Sequence, residues 1–543
     1  MTSNPSVPNL LHLEPELCLD LPALSQALTF AFATGGMGET FSRILCRAKL
    51  APSAFRPDSF ARDLFVTDVV AECLSVRIDD GVQSLHRPQL VRELSHPPSD
   101  WRVTELRQRI LGELDQRPEL ERGARRVFQK IRELMLQLEA ADRGKRYDAV
   151  GRRLDILRSL KETVEVAASA FESAQTELRR AHQFARAVLD GAAFRDLTNL
   201  LDYEGHLATL DLRVRVSHDG QLRSFEIVRA DENRNNPHYV SPWARWAARL
   251  KMWFRGYRFR EAELMGQLAN RVFDGMQDAA VGLFQLGLHL EFYLAALSLR
   301  DRARQAGLHV CLPEFVERGG GASAELTALF NPLLLLEKKT PRPADISAPA
   351  TGLVIITGPN SGGKTRLLQA LGLSQLLAQC GMFVPAARAR LYPRGGLFVS
   401  LIQEASADQP EGHLGMELLR IRRLFEELSL NSLVIMDELC SGTNPSEGEE
   451  IFRLVVSLLA ELEPQAFITT HFLRFAAALE RERPVAGLEF LQVELDANDD
   501  PTYGFNAGVA QTSLAGKTAE RLGVTREALE GLVRARRSLS TKS

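Results

Sequence analysis

The sequence predicts a helix-rich body followed by an α/β domain of the P-loop class, and three observations carry that prediction. A glycine loop stands between an apolar strand and a helix; a second apolar strand ends in paired carboxylates; and the long stretch before them repeats apolar residues at spacings of three and four.

The helix-rich part comes first. With 543 residues the chain exceeds one hydrophobic core, and length alone suggests about three or four domains. Residues 1–102 are mixed, with a helix expected around Ala23 to Ala33 and a strand or short helix within Leu64 to Ile78. Residues 103–335 read as helical over most of their length, interrupted early by Pro118. Leu160, Val164, Ala167, Phe171, Ala174 and Leu178 fall on one helical face, which reads as core or partner-helix packing. Within this region, alternation at Leu210, Leu212, Val214 and Val216, a turn at Asp219-Gly220, and resumed alternation at Phe225 and Ile227 predict a hairpin over 208–228.

Two basic groups there have alternative readings. Arg213, Arg215, Arg223 and Arg229 are either phosphate contacts or a solvated sheet face. Lys251, Arg255, Arg258 and Arg260, with Trp253 and Tyr257, are either an anion-binding surface or a packed interdomain helix. The net charge of -3 neither marks the chain as a nucleic-acid binder nor excludes it. Six cysteines are scattered without a CxxC pair, so a reduced, cytoplasmic chain is expected rather than a zinc module or disulfide scaffold. The amino terminus, MTSNPSVPNL, has no basic patch leading into an apolar run, so no secretory signal is expected. Ala279 to Leu299 is the most membrane-like stretch, but Gln285, His289 and Glu291 interrupt it. It reads as a buried helix, and no membrane association is expected.

Residues 336–525 carry the chemistry, with a terminal helical tail at 526–543. Gly358-Pro359-Asn360-Ser361-Gly362-Gly363-Lys364-Thr365 is a complete Walker A pattern between the strand candidate Leu353 to Ile356 and the helix candidate Leu367 to Cys380. Glycines let the backbone turn tightly enough for its N–H groups to encircle phosphate oxygens. Lys364 is placed to reach the β/γ-phosphates of ATP, and the Thr365 hydroxyl to ligate Mg²⁺. Leu433 to Met436 then leads into Asp437-Glu438: Asp437 is expected to hold the hydrated Mg²⁺ and Glu438 to orient attacking water. Phe467 to Thr470 leads into His471, expected near the γ-phosphate as a reporter of hydrolysis. Gln403, after the apolar run Leu397 to Ile402, is a further candidate contact to Mg²⁺ or water.

Taken together these motifs resemble the MutS family of DNA-repair ATPases. The resemblance rests on the loop 358–365, on the helix and turn from Leu373 to Ala386, and on Asp437 through Gly448. It continues in Thr469-Thr470-His471-Phe472, in Tyr503-Gly504-Phe505, and in the segment from Gly508 to Gly523. It covers about a third of the chain. The residues before it, including Asn331-Pro332-Leu333-Leu334, are compatible with that family's core and lever helices. The resemblance implies a homodimer whose nucleotide sites face each other, with Ser441, Gly442, Thr443 and Asn444 facing the partner. It also implies an ATP-driven clamp or switch on duplex, mismatched or branched DNA, in mismatch repair or recombination.

Three departures qualify it. No amino-terminal Phe-x-Glu element is placed like the family's mismatch-reading wedge, since Phe171-Glu172 is followed by Ser173. Glu411 to Glu417 departs from the family's Ser-Thr-Phe signature, and no nuclease-like domain follows the ATPase. An ATP-dependent protein-assembly switch without DNA binding is the competing expectation.

Overall fold

The computed structural model describes residues 7–78, 81–140, 149–207, 210–216, 222–230, 261–316, 323–337, 340–401, 412–440, 444–511, 520 and 523–540. The chain forms two compact units. One comprises Met1–Leu50, Val76–Leu90 and Leu106–Leu294; the other comprises Ala51–Ser75, Val91–Glu105 and Ala295–Ser543.

The first unit is built mostly from helices. Leu21–Thr34 begins where the Asp20 carboxylate accepts from Ala23 N–H, an ordinary N-cap. Pro118–Glu139 starts on a proline, which costs nothing at a first turn whose N–H groups have no helical partner. It buries Leu120, Ala124, Val127, Phe128, Ile131, Leu134, Met135 and Leu138, one continuous face. The Arg152 guanidinium donates to the carbonyls of Ala31 (2.9 Å), Phe32 (3.0 Å) and Gln137 (3.0 Å), supplying donors to the carboxyl ends of both helices.

The apolar face expected from Leu160 to Leu178 runs through two elements rather than one. The helix stops at Ala170, yet Leu160, Val164, Ala167, Phe171 and Leu178 are all fully buried. The helix stops because Glu113 captures the next turn. Its carboxylate accepts from the N–H groups of Gln175 (2.6 Å) and Thr176 (3.0 Å) and from the Thr176 hydroxyl. Local donors that find a carboxylate no longer need a helical carbonyl.

Alternation at 210–227 corresponds to antiparallel strands Leu210–Val216 and Leu222–Ala230, with Leu212 opposite Ile227 and Val214 opposite Phe225. The side chains of that hairpin, and the basic aromatic segment Trp243 to Arg260, lie outside the described residues.

The stretch Ala279 to Leu299 belongs to the helix Glu261–Gln305, long and apolar enough to cross a membrane, whose most apolar window is wholly buried inside the protein. Its polar residues explain the burial, because each grips backbone. Gln285 accepts from Cys18 N–H (2.6 Å) and donates to the Glu16 carbonyl (3.1 Å). His289 accepts from Leu10 N–H (3.1 Å), and Tyr293 donates to the Leu10 carbonyl (2.6 Å). Glu291 accepts from the Ser84 hydroxyl (2.5 Å) and from the N–H groups of Leu85 (3.0 Å) and His86 (2.8 Å). Burial pushes its pKa up, and these three donors pull the other way. Glu291→Ala strands two buried N–H groups and a hydroxyl. The expected result is a loss of about 3–5 kcal/mol, read as a lowered urea midpoint for the helical circular-dichroism signal. An unchanged midpoint would mean that water satisfies the same groups.

The second unit holds a six-stranded sheet. Its strands are β1 (Gly352–Thr357), β2 (Gly396–Ser400), β3 (Ser432–Met436), β4 (Gln465–Thr469), β5 (Leu488–Leu495) and β6 (Pro501–Ala507), in the order β2-β3-β4-β1-β5-β6. All neighbours pair in parallel except β5 and β6. Every residue of β1, β2, β3 and β4 is buried, because parallel strands are covered on both faces and read as unbroken apolar runs. The covering helices include α1 (Lys364–Cys380), α2 (Gly412–Glu427), α3 (Pro445–Glu461) and α4 (Leu473–Glu482). A smaller four-stranded sheet from Glu314–Phe315, Ser323–Leu329, Ala344–Pro349 and Arg388–Leu391 lies in the same unit.

Candidate nucleotide site

Parallel strands deliver their carboxyl ends to one edge of a sheet, and ligands bind outside that edge. Here β1 delivers the glycine loop, β3 delivers Asp437-Glu438, and β4 delivers Thr469 to His471. The loop needs its glycines for two distinct reasons. Gly358 has φ +140°, and a Cβ there would meet Val493 Cγ2 at 2.6 Å. Gly363 has φ +88° and begins α1, with the Tyr503 ring 3.2 Å from where its Cβ would stand. The helix therefore starts directly under the loop, aiming unpaired N–H groups at whatever the loop encircles.

Lys364 and Thr365 open α1. The Lys364 ammonium donates to the carbonyls of Gly358 and Pro359, each at 3.0 Å, so it lies inside the loop's curve. Burial pulls its pKa down, opposed by the negative charges of Glu438 and Asp437. Thr365 donates to one Asp437 oxygen at 2.5 Å, and Thr469 donates to the other at 2.5 Å. The Thr469 oxygen also accepts the Glu438 N–H at 2.7 Å. One hydroxyl thus holds both members of the acidic pair, bonding the side chain of one and the backbone of the other. Glu438 sits at φ +48°, an uncommon conformation for a side chain of this size, and half-buried.

A cleft of about 790 Å³ lies over the loop. Asn360 through Thr365 and Glu438 line it, together with Asn331, Thr340, Arg342, Tyr503 and Phe505. The structure thus brings together Lys364, Thr365, Asp437 and Glu438. His471 follows β4 but is exposed, its ring tilted against Phe472 at 4.4 Å between centroids, and it is not among the residues lining this cleft. Asn444 accepts from Ser446 N–H (3.3 Å) and caps α3. Gln403, Ser441, Gly442 and Thr443 lie outside the described residues.

The role of Thr469 escapes the motif reading, although its signal is present: it ends an apolar strand paired with the one that carries the carboxylates. Met436 pairs with Ile468, so Asp437 and Thr469 are the next residues along neighbouring strands. Two further lining residues of the cleft escape it too, since Thr340 and Arg342 belong to no phosphate motif. Among the described residues, none of the six cysteines is joined to another by a disulfide.

Residues 354–539 match the family model for MutS domain V. The matched segment, about a third of the chain, is of MutS type. Curated relatives that the chain matches include the protein named Endonuclease MutS2 from Thermomicrobium roseum, 31% identical over 285 residues, which is 50% of this chain and 34% of that protein. The Endonuclease MutS2 of Alkaliphilus metalliredigens is 37% identical over 191 residues, 34% of this chain and 23% of the relative. That of Thermus thermophilus is 34% identical over 178 residues, 33% of this chain and 24% of the relative. The match therefore spans about a third or less of each of these relatives' lengths. MutS-family members are ATPases.

Proposed function

We propose that this chain binds and hydrolyses ATP at the β1–α1 loop and works as a DNA-associated ATPase of MutS type. The observation that carries this reading is the junction of Thr365, Asp437, Thr469 and Glu438 beside the Lys364 loop. The Thr365 hydroxyl and the Asp437 carboxylate are hard oxygen donors in contact, a set suited to a hydrated Mg²⁺. When bound, Mg²⁺ would supply positive charge to offset that of the phosphates.

The chain's own residues do the rest. Loop N–H groups and Lys364 bind and orient the phosphates, and they stabilise the charge that develops on the transferred group. Glu438 aligns water for in-line attack, its backbone held by Thr469. His471 senses the γ-phosphate from the end of β4, and Gln403 adds a contact to metal or water. The loop Ser441 to Asn444 faces a second copy in a homodimer, so that ATP binding closes the pair and hydrolysis resets it. The DNA partner, a duplex, mismatched or branched structure met in repair or recombination, rests on the likeness of residues 354–539 to MutS domain V.

A binding assay on those three DNA forms, with and without ATP and across a salt series, tests the reading. A phosphate-contacting binder loses affinity along a log–log line with slope near −0.9 per neutralised phosphate. ATP turnover without binding to any of the forms at low salt would identify an ATP-dependent protein-assembly switch instead.

A further inference from the structure

Ser400 ends β2, the strand beside the one that carries Asp437, and it is gripped from several directions at once. Its carbonyl accepts from Asp437 N–H at 2.9 Å and from Arg420 Nη2 at 3.0 Å. Arg420 Nε donates to the Ser400 hydroxyl at 2.6 Å. The same peptide is pinned on its other side: Leu401 N–H donates to Asp63 Oδ2 at 2.6 Å. Arg420 projects from α2, which makes two more contacts to the same upstream segment. Arg423 donates to the Asp58 carbonyl at 2.8 Å, and Ser59 donates to Glu427 at 2.7 Å.

A guanidinium that holds a backbone oxygen and a hydroxyl of one residue fixes both the peptide plane and the side chain. Its rigid fork allows this, whereas a lysine ammonium acts as a point charge. The plane fixed here is the one from which the Asp437 backbone hangs, and the Asp437 carboxylate in turn bonds Thr365 and Thr469. Burial weakens the hold of Arg420 on its proton, with Asp63, Glu417, Asp437 and Cys440 acting in the opposite sense. The ordinary guanidinium pKa is high enough for the group to stay charged.

We propose that Arg420 is a positioning residue of the nucleotide site, acting through Ser400 to set where the Asp437 carboxylate meets Thr365. The inference rests on the ATP-binding function proposed above. It differs from a merely structural tie between α2 and β2 in one respect. A structural tie supports nucleotide binding whether or not metal is present, whereas a positioning residue for Asp437 matters only when Mg²⁺ accompanies the nucleotide.

The test uses the full chain, a fluorescent ATP analogue titrated in Mg²⁺ and again in EDTA, and the thermal unfolding midpoint. Arg420→Gln is expected to weaken binding in Mg²⁺ by about tenfold while leaving binding in EDTA within about twofold of wild type. Arg420→Lys, which keeps the charge but not the fork, should recover part of the loss. Ser400→Ala, which removes only the hydroxyl contact, should show a smaller loss of the same kind, and it decides the matter should Arg420→Gln fail to fold. Equal weakening in Mg²⁺ and EDTA, or wild-type binding in both, would overturn the proposal. Failure of the wild-type chain to bind the analogue in either condition would instead overturn the ATP-binding function, and this inference with it.

Discussion

Lys364→Ala is expected to cost about a hundredfold or more in ATP affinity and to leave turnover at background. The reason is geometric as much as electrostatic. The ammonium lies inside the loop, 3.0 Å from the carbonyls of Gly358 and Pro359, in a buried position where water cannot substitute for it. A charge-assisted hydrogen bond to phosphate in such a place is worth roughly twice a neutral one, and two of them account for a loss of about 3 kcal/mol. Alanine removes both and leaves the phosphate charge to the loop's amides and the metal. Titration of a fluorescent ATP analogue gives the affinity, and phosphate release under saturating ATP gives the turnover. Near-normal affinity with unchanged kcat would remove the loop from the chemistry altogether. Circular dichroism guards against misfolding, and Lys364→Met, which keeps most of the buried aliphatic stem, should show the same loss.

Glu438→Gln should separate binding from chemistry. Glutamine keeps the volume and leaves the backbone bond to Thr469 in place, so the strained turn at φ +48° has no reason to move. What is lost is the charge that orients and polarises water. Turnover should fall by about a hundredfold or more, while ATP affinity stays within about threefold of wild type. Single-turnover hydrolysis set beside equilibrium binding reads both quantities. If affinity and turnover fell together, Glu438 would have to be reassigned to folding or to holding the metal. If neither fell, another group would have to serve as the base.

The parts of this site that were legible in the sequence are those whose chemistry is local. A phosphate loop is a run of neighbouring residues, because its donors are successive backbone amides, so Gly358 to Thr365 could be read without coordinates. The carboxylates could be read because they end an apolar strand. Thr469 could not, since its role depends on which strand lies beside β3, and pairing order is not a local property. The Arg420–Ser400–Asp63 corner was hidden for the same reason, since Asp63 stands 338 residues before the Leu401 N–H that it holds. In the first unit the apolar spacing placed Leu160 through Leu178 in the core, but periodicity alone did not show that Glu113 would end the helix at Ala170. Gln285, His289 and Glu291 were read as polar interruptions in a buried helix. What they bind became visible only once distant backbone stood opposite them.

The helix that begins at Lys364 is enclosed along nearly its whole length, and some of what encloses it comes from far upstream. Leu64 fills the space beside Gly372, Thr104 donates to the Gln379 carbonyl, and the Cys380 thiol lies against the Leu94 carbonyl. The ribosome therefore makes part of the nucleotide fold's wrapping long before it makes the fold. Segments 51–75 and 91–105 must wait through the synthesis of the intervening helices before their counterparts emerge. Loops of that length close slowly, so the site should be among the last parts of the protein to mature. A fragment cut to the stretch that matches its relatives, residues 354–539, would expose apolar surface that the intact chain covers from its own beginning.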